Sequence, residues 1–222
     1  MIRRFRNRID AGRTLASRLT AYAHRPDVLV LGLPRGGIPV AYEVARELGV
    51  PLDVFVVRKL GMPGHEEYAI GAIATGGVRI INEEAIRTFG VTDAEIEAVT
   101  AEELRELDRR ERRYRDNRPP PTVAGKTIIL VDDGLATGST MRAAVEALRQ
   151  EGPARIVVAV PTAAPETCDE MAGHVDEMIC AMTPEPFYAV GLWYDDFGQT
   201  SDEEVHDLLA LASEATNGGT RR

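Results

Sequence analysis

The stretch TIILVDDGLATGSTMRAAVEALRQEG, residues 127–152, is predicted to pass from a strand through a loop into a helix, the unit from which a parallel sheet with flanking helices is built. Residues 127–132 form a near-continuous apolar run, which is typical of a strand covered on both faces of its sheet. Residues 139–152 are predicted to form the helix that follows. Between them, Asp132 and Asp133 precede a loop of small and hydroxyl-bearing residues.

The same alternation of strand and helix recurs along the chain. Further strands are predicted at 27–33, 52–59, 154–160 and, more weakly, 176–182, with a helix at 38–49 whose Gly49 suits a C-terminal stop. This rhythm predicts an α/β fold, a parallel twisted sheet flanked by helices on both faces. Right-handed crossovers are expected between its strands.

Two segments depart from this alternation of strands and helices. Residues 72–86 predict a hairpin that turns at Gly76–Gly77 and then the start of a helix. Residues 92–115 predict one long charged helix or two in tandem, and Thr92 and Glu95 have the spacing of a capping box. Its arginine-rich end is predicted to be a solvated face, with an oligomer contact or an anion site as alternatives.

We therefore expect one domain over residues 1–222. Within it, residues 83–117 are predicted to be a helical insertion, and residues 184–215 a small C-terminal hood and helix. Ser201 and Glu204 have the spacing of a second capping box at the start of that last helix.

The composition sets limits on function. The chain has 222 residues, a hydrophobic fraction of 44% and a formal net charge of −9, which disfavours broad binding to nucleic acid or to anionic membranes. Cys168 and Cys180 fit no metal-binding spacing and predict no disulfide framework, so a cytoplasmic location is expected. The charged first residues lack the apolar core of a signal peptide, and no run approaches the roughly 18 apolar residues of a membrane span.

The loop after residues 127–132 has the composition of a ligand site. In an open parallel sheet, ligands bind outside the carboxyl ends of the strands. Residues 134–140 lead into a helix N-terminus, where free backbone amides favour an anion and Gly138 permits close approach. Carboxylates repel phosphate, so Asp132 and Asp133 suit hydroxyl groups or a divalent cation beside it. The ligand inferred from these residues is a sugar phosphate.

Other interpretations of this loop stay open at this stage. A strand that ends in two acids is also found in phosphoacceptor receiver domains, but the other acids and the lysine of such a domain are not placed here. A nucleotide-binding P-loop needs a lysine that this loop lacks. A plain turn with accidental acids is the third alternative.

The loop resembles the phosphoribosyl pyrophosphate (PRPP) signature of type I phosphoribosyltransferases, two acids followed after three residues by Thr-Gly-x-Thr. Residues 33–41, LPRGGIPVA, are similar to the pyrophosphate loop of that family, and residues 56–59, VVRK, to the strand end before its mobile catalytic loop. Residues 187–197 resemble the hood over the base. Nearly the whole chain is similar to a little-characterised bacterial branch of predicted phosphoribosyltransferases.

This resemblance implies transfer of ribose 5-phosphate from PRPP to a nitrogen nucleophile, with magnesium as cofactor. It implies catalytic roles for Arg35, Lys59, Asp132 and Asp133, with the two acids also at the metal. The implied PRPP contacts are Arg35, Gly36, Gly37, Arg58, Lys59, Asp132, Asp133, Ala136, Thr137, Gly138, Ser139 and Thr140. It also implies a cis peptide bond between Pro34 and Arg35.

The acceptor side is harder to predict. Tyr188 is a candidate to stack on a base, and Asp195 or Asp196 a candidate to pair with its exocyclic groups. Residues 61–71 have glycines at both ends, which is typical of a hinged lid. In that lid, His65 and Glu66 are either acid–base groups or solvated side chains.

One position departs from part of the family. Relatives that act on 6-oxopurines place an acid just before the Thr-Gly pair, where this chain has Ala136. Hypoxanthine and guanine are therefore expected to be poor acceptors, and adenine or a non-purine nucleophile is favoured.

The sequence leaves two main classes of function open. The first is a PRPP-dependent transferase, and the alternative is a PRPP-binding regulatory module without transferase activity. A hydrolase of a phosphorylated sugar or nucleotide is a weaker third. The expected partners are PRPP and a small-molecule acceptor, without nucleic acid or membrane. A homodimer is left open.

Overall fold

The computed structural model describes residues 4–218, with the side chains of residues 66, 67 and 216–218 outside the description. The helices are α1 (Arg8–Ala16), α2 (Gly37–Leu48), α3 (Glu83–Phe89), α4 (Asp93–Arg115), α5 (Ser139–Gln150), α6 (Pro165–Ala172) and α7 (Asp202–Gly218). The strands are β1 (Val28–Gly32), β2 (Leu52–Val54), β3 (Val57–Met62), β4 (His65–Ala74), β5 (Val78–Ile81), β6 (Thr127–Val131), β7 (Arg155–Thr162) and β8 (Glu177–Met182).

Five strands form a parallel sheet in the order β2-β1-β6-β7-β8. In β1, Leu29 and Leu31 face the apolar sides of α5 and α6, whereas Val28 and Val30 face those of α1 and α2. Because both faces are covered, all residues of β1 and β6 are buried. The predicted α/β fold with a parallel sheet flanked by helices is confirmed.

A second, antiparallel sheet contains β3, β4 and β5. The single strand predicted at 52–59 is therefore wrong, because the chain leaves the parallel sheet after Val54 and enters the antiparallel one at Val57. Thr75 holds the chain where it passes from the parallel to the antiparallel sheet. Its hydroxyl accepts from the Val56 amide at 2.9 Å, and its amide donates to the Val56 carbonyl at 2.9 Å. The predicted turn at Gly76–Gly77 is confirmed between β4 and β5, where both glycines have positive φ.

The segment predicted as a hinged lid, residues 61–71, is not an irregular loop. It forms the end of β3, a tight turn at Pro63–Gly64 and the larger part of β4. Its backbone amides and carbonyls are largely committed to pairing between the two strands, with register shifts on either side of Gly61.

The predicted insertion, residues 83–117, contains α3 and α4. The Thr92–Glu95 capping box at the start of α4 is confirmed, with both reciprocal bonds present. The predicted solvated face at the end of this helix is wrong for Arg115, which is only 2% exposed. Its guanidinium donates to Asp53 at 2.8 Å, to Glu111 at 2.8 Å and to the Val54 carbonyl at 2.6 Å, so it joins α4 to the edge of the parallel sheet.

The C-terminal helix α7 packs beside α4. Val205 and Leu209 of α7 belong to the same buried cluster as Leu107 of α4 and Ile73 of β4. The predicted cap is present in one direction, since the Glu204 amide donates to the Ser201 hydroxyl at 3.1 Å. Within residues 4–218, no helix is both long and apolar enough to cross a membrane.

The prediction that the two cysteines form no disulfide is wrong. Cys168 of α6 and Cys180 of β8 are bonded to each other, although 12 positions separate them in the chain. Sequence spacing carried no sign of this pairing, which depends on how α6 packs against the edge strand.

Candidate functional site

The site lies at the carboxyl ends of β1 and β6, two neighbouring parallel strands from which the chain continues to opposite sides of the sheet. β1 pairs along its length with β6, so the loops that follow them, residues 33–36 and 132–138, begin side by side. Such a point in an open α/β sheet forms a crevice for ligands. The topology thus brings together the two loops that the sequence motifs indicated.

Glycines allow these loops to touch. A Cβ atom on Gly36 would lie 2.0 Å from Oδ2 of Asp133, and one on Gly37 would lie 3.0 Å from Oδ1 of Asp132 and 2.8 Å from the Val131 carbonyl oxygen. Neither position can hold a side chain without moving an acid or the strand end. The Pro34–Arg35 peptide bond is cis, as the family resemblance implied, and Arg35 is exposed where the loop leads into α2.

The far end of the second loop forms an anion cradle. Gly138, with a φ of 67°, precedes the first residue of α5, Ser139. The first amides of a helix have no acceptor within it, so they face whatever lies at its N-terminus. Thr137 and Thr140 are exposed there and can add hydroxyl donors.

Contacts with α6 support the anion cradle. The buried Thr167 donates its hydroxyl to the Ala136 carbonyl at 2.6 Å, and a Cβ on Gly138 would lie 2.9 Å from the Thr167 methyl carbon. Ala136 itself is exposed. Cys168, the residue after Thr167, is the one bonded to Cys180, so the disulfide anchors the helix that supports the cradle.

Sequence reasoning missed one residue of the site, Arg8. Its Nε donates to Oδ2 of Asp133 at 2.9 Å, and one terminal nitrogen lies 2.8 Å from the same oxygen. The other terminal nitrogen donates to the Gly198 carbonyl at 2.6 Å. Arg8 belongs to no motif and precedes Asp133 by 125 positions, so no local signal could have identified it.

Arg8 is part of what we call the N-terminal clasp, residues 5–8 paired with residues 193–198. Its backbone bonds run from the Phe5 amide to the Trp193 carbonyl at 2.9 Å and from the Asp195 amide to the Phe5 carbonyl at 2.8 Å. The Tyr194 hydroxyl donates to the Asp133 carbonyl at 2.5 Å. The clasp therefore fixes the hood to the second acid.

The acid pair is electrostatically strained. Burial raises the pKa of Asp132 well above its usual range, and the neighbouring Asp133 raises it further. Burial also raises the pKa of Asp133, against the opposing effect of the Arg8 guanidinium. Two desolvated carboxylates side by side favour ligands that bring hydroxyl donors or positive charge.

The two acids suit an open magnesium site that substrate and water complete, rather than a metal site made wholly of protein ligands. Within the described residues, no group of three or more acidic, histidine or cysteine side chains could hold a metal ion. Magnesium is commonly bound by one or two carboxylates together with water and substrate phosphates. Asp132 and Asp133 match that donor set, with substrate oxygens supplying the rest.

Of the two basic residues predicted at the pyrophosphate, only Lys59 shares a cleft with a residue of the anion cradle. Arg58 and Lys59 are consecutive in β3 and so face opposite sides of its sheet. Lys59 is exposed and lines a cleft of about 570 Å³ together with Ser139 at the start of α5. Arg58 donates from Nε to Glu103 of α4 at 2.6 Å, so its guanidinium is committed to the insertion.

The predicted acceptor residues lie on the surface of the hood. Tyr188 is 79% exposed, and Asp195 is exposed within the clasp. No hydrogen bond or ion pair in the described part of the chain joins either side chain to Asp132 or Asp133. His65 lies elsewhere, in a cleft of about 440 Å³ between the β3–β4 turn and the α3–α4 connection.

Comparisons with known proteins agree with this geometry. A family model described as phosphoribosyl transferase domain matches residues 1–187. A Mycobacterium tuberculosis protein, provisionally named a phosphoribosyl transferase, is 46% identical over 94% of this chain. The alignment covers 47% of that protein, so the chain spans about half the length of the curated relatives it matches.

Two further relatives extend the comparison. The crystal structure of TT1426 from Thermus thermophilus is 44% identical, with a TM-score of 0.82 and coverage of 93% of this chain and 97% of that one. An amidophosphoribosyltransferase of Mycobacterium bovis is 26% identical over 69% of this chain and 22% of its own length. The first similarity covers both sheets and the insertion, since it extends over almost the whole chain.

Proposed function

The chain belongs to the phosphoribosyl transferase family, and from that premise we propose that it transfers ribose 5-phosphate from PRPP to a nitrogen nucleophile. In this reaction the nitrogen forms a bond to C1 of the ribose, the bond from C1 to the pyrophosphate oxygen breaks, and pyrophosphate leaves with the electron pair. The observation that supports this most directly is the contact between the glycine loop and the acid pair, beside the amides of the α5 N-terminus.

Each part of the crevice has a role in this proposal. Asp132 and Asp133 accept hydrogen bonds from the ribose hydroxyls and contribute to the magnesium site. The amides of residues 136–140, with their hydroxyls, hold the 5′-phosphate. Gly36 and Gly37 expose their amides to pyrophosphate, and Arg35 and Lys59 supply positive charge to it. Magnesium, when bound, stabilises the charge of the leaving group.

The transition state of such a transfer carries positive charge on the ribose. The protein therefore has to position the sugar, stabilise the departing anion and exclude water. Asp132 and Asp133, desolvated beside the ribose site, are suited to stabilise that positive charge. Arg58 has no place in this arrangement while its guanidinium is bonded to Glu103.

Adenine or a non-purine nucleophile is the acceptor class that we propose. Ala136 is exposed at the position where relatives acting on 6-oxopurines carry an acid, and an alanine cannot share a proton with the ring. General acid–base assistance of this kind contributes about 10²–10⁴-fold to rate. Tyr188 and Asp195 on the hood are the proposed acceptor contacts, with Tyr188 stacking on the ring and Asp195 accepting from an exocyclic amine.

A PRPP-binding regulator is the alternative. A binding module needs the acids and the phosphate cradle alone, whereas this chain also has the glycine loop and an exposed Lys59 beside the cradle. These features favour the transferase. The proposed partners are PRPP and a small-molecule acceptor, and the proposal needs no second copy of the chain.

The experiment that tests this function is release of pyrophosphate from PRPP and magnesium with a panel of acceptors. Adenine, hypoxanthine, guanine, a pyrimidine and ammonia cover the nitrogen classes. We expect turnover with adenine or a non-purine acceptor and little with hypoxanthine or guanine. Turnover of hypoxanthine with kcat/KM of about 10⁵ M⁻¹s⁻¹ or more, within the ordinary enzyme range, would contradict the acceptor class. PRPP binding without turnover of any acceptor would favour the regulator.

A further inference from the structure

Arg8 makes an unusual set of contacts for a residue in the first turn of α1. Its side chain is only 13% exposed, and that of its partner Asp133 is 15% exposed. Two of its nitrogens approach the same carboxylate oxygen, at 2.9 Å and 2.8 Å. An ion pair this sheltered from water is screened less than a surface pair.

The guanidinium is itself held on two sides. Its central carbon lies 4.0 Å from the centre of the Phe197 ring, and its remaining terminal nitrogen donates to the Gly198 carbonyl at 2.6 Å. Both partners belong to the N-terminal clasp. Arginine suits this place because its planar group can stack on a ring and donate in several fixed directions at once.

Arg6, two residues earlier, shows what an ordinary surface arginine looks like in the same segment. Its side chain is 68% exposed and pairs with Asp10 one helical turn away. Among the described residues, the Arg6 side chain bonds to neither the acid pair nor the hood, whereas that of Arg8 bonds to both. The contrast supplies a matched control.

The contacts of Arg8 determine which atoms of Asp133 remain for a ligand. Oδ2 is occupied by Arg8 and lies against Gly36, where a Cβ would be 2.0 Å away. Among the described residues, Asp133 makes no further side-chain hydrogen bond or ion pair, so Oδ1 is the oxygen that remains for a ligand. When both acids are ionised, Asp132, Asp133 and the Arg8 guanidinium together carry a formal charge of −1.

We propose that Arg8 is a positioning residue of the PRPP site, which orients Asp133 so that its Oδ1 accepts from a ribose hydroxyl. This inference rests on the proposed function. Arg8 bonds directly to the acid at the ribose end of the ligand. It also lies beside the glycine loop, since a Cβ on Gly36 would be 3.2 Å from one of its terminal nitrogens, but that nitrogen is already paired with Asp133. Loss of Arg8 frees the Asp133 carboxylate to rotate and leaves a desolvated charge without its partner.

The experiment measures, by calorimetry on the full chain with magnesium, the binding of three probes: PRPP, ribose 5-phosphate and pyrophosphate. Arg8→Gln removes the positive charge and the planar guanidinium with its several donors. Arg8→Lys keeps the positive charge but not the planar group, and Arg6→Gln is the control. For Arg8→Gln we expect PRPP and ribose 5-phosphate affinity to fall about 10- to 100-fold, the range of a hydrogen bond to a charged group. Pyrophosphate affinity should fall clearly less than that for PRPP and ribose 5-phosphate, because it loses only a nearby positive charge. The affinities of Arg8→Lys should lie between those of Arg8→Gln and the wild type, and Arg6→Gln should match the wild type.

The selective loss distinguishes positioning from a structural role, because a collapsed site would lose all three probes together. Equal loss of the three probes, or PRPP affinity within twofold of wild type in Arg8→Gln, would overturn the inference. If Arg8→Gln does not fold, Phe197→Leu and Arg8→Lys take its place: both should weaken PRPP binding severalfold, and wild-type affinity in both would overturn it. A wild-type protein that binds none of the probes contradicts the proposed function itself.

Discussion

The two sheets of this protein differ in how they hold their functional residues. At the carboxyl edge of the parallel sheet, Asp132 and Asp133 are desolvated, pressed against glycines and fixed by Arg8. In the antiparallel sheet, Lys59 stands exposed on a short strand, and the turn at Pro63–Gly64 has open space around it. The first region is held by contacts on several sides, and the second carries Lys59 in a cleft that it shares with Ser139 of α5.

The difference indicates a division of labour. The parallel edge is built for binding, because small movements there would break contacts on several sides. The antiparallel sheet packs against the charged insertion, where Arg58 is bonded to Glu103. We expect substitutions at the parallel edge to affect binding strongly, and those in the antiparallel sheet to affect catalysis or stability more mildly.

The largest effect should come from Gly36→Ala. The added Cβ would lie 2.0 Å from Oδ2 of Asp133 and would displace either the acid or the glycine loop. A misplacement of about 1 Å in an active site can cost about 10²-fold, so we expect kcat/KM for PRPP to fall by about that factor. Gly64→Ala is the control, since nothing lies within 4 Å of its Cβ. It should lose stability through its positive φ and keep its turnover. Similar turnover in Gly36→Ala and Gly64→Ala would show that the parallel edge is no more sensitive to substitution than the antiparallel sheet.

The next effect concerns the cross-link beneath the phosphate cradle. Replacing Cys168 and Cys180 with serine should lower the free energy of unfolding by about 2–3 kcal/mol, as expected for a disulfide that closes a short loop. Urea denaturation measures this, with wild type in a dithiol reductant as the matched comparison. Two alkylatable thiols in the unfolded, unreduced protein would show that the pair is not bonded.

Lys59 and Arg58 test the antiparallel sheet directly. Lys59→Met should lower kcat/KM for PRPP about tenfold, the low end of a hydrogen bond to a charged group. Arg58→Met should leave turnover within twofold and lower stability by up to about 1 kcal/mol, as for an ion pair near the surface. Steady-state kinetics and urea denaturation of both variants separate the two roles. A greater loss of turnover in Arg58→Met would mean that its guanidinium leaves Glu103 for the substrate.

The smallest effect is in the dynamics of the β3–β4 hairpin. Amides of residues 61–71 should exchange with solvent at least about tenfold faster than those of β6, because edge hairpins open locally while a central strand opens with the whole fold. Binding of PRPP with magnesium should slow the hairpin selectively. Unchanged exchange of residues 61–71 on binding would argue against any closing role for this segment.

Much of the parallel region was predictable from sequence because its signals are local. Apolar runs such as residues 127–131 predict buried strands, Gly49 marks the helix end, and the two acids followed by small residues predict the ligand. The αL conformation of Gly49 confirms the stop signal. The family resemblance added the cis peptide at Pro34–Arg35, which no composition argument supplies.

The features that sequence reasoning mispredicted or missed depend on contacts between residues far apart in the chain. An apolar run does not record which sheet it joins, so residues 52–59 predict one strand although they are shared between two. The burial of Arg115 depends on Asp53, 62 positions away, and the role of Arg8 depends on Asp133. Charge alone predicts a surface position for both arginines, and only the fold brings their partners to them.

We propose that the crevice between β1 and β6 binds PRPP through its acid pair. Calorimetric titration of PRPP with magnesium into wild type and into Asp133→Ala tests it most directly. We predict saturable binding to the wild type and an affinity weaker by about 1.5–3 kcal/mol in the variant, which loses a charged hydrogen-bond acceptor. Equal PRPP affinity in the two proteins would contradict the account.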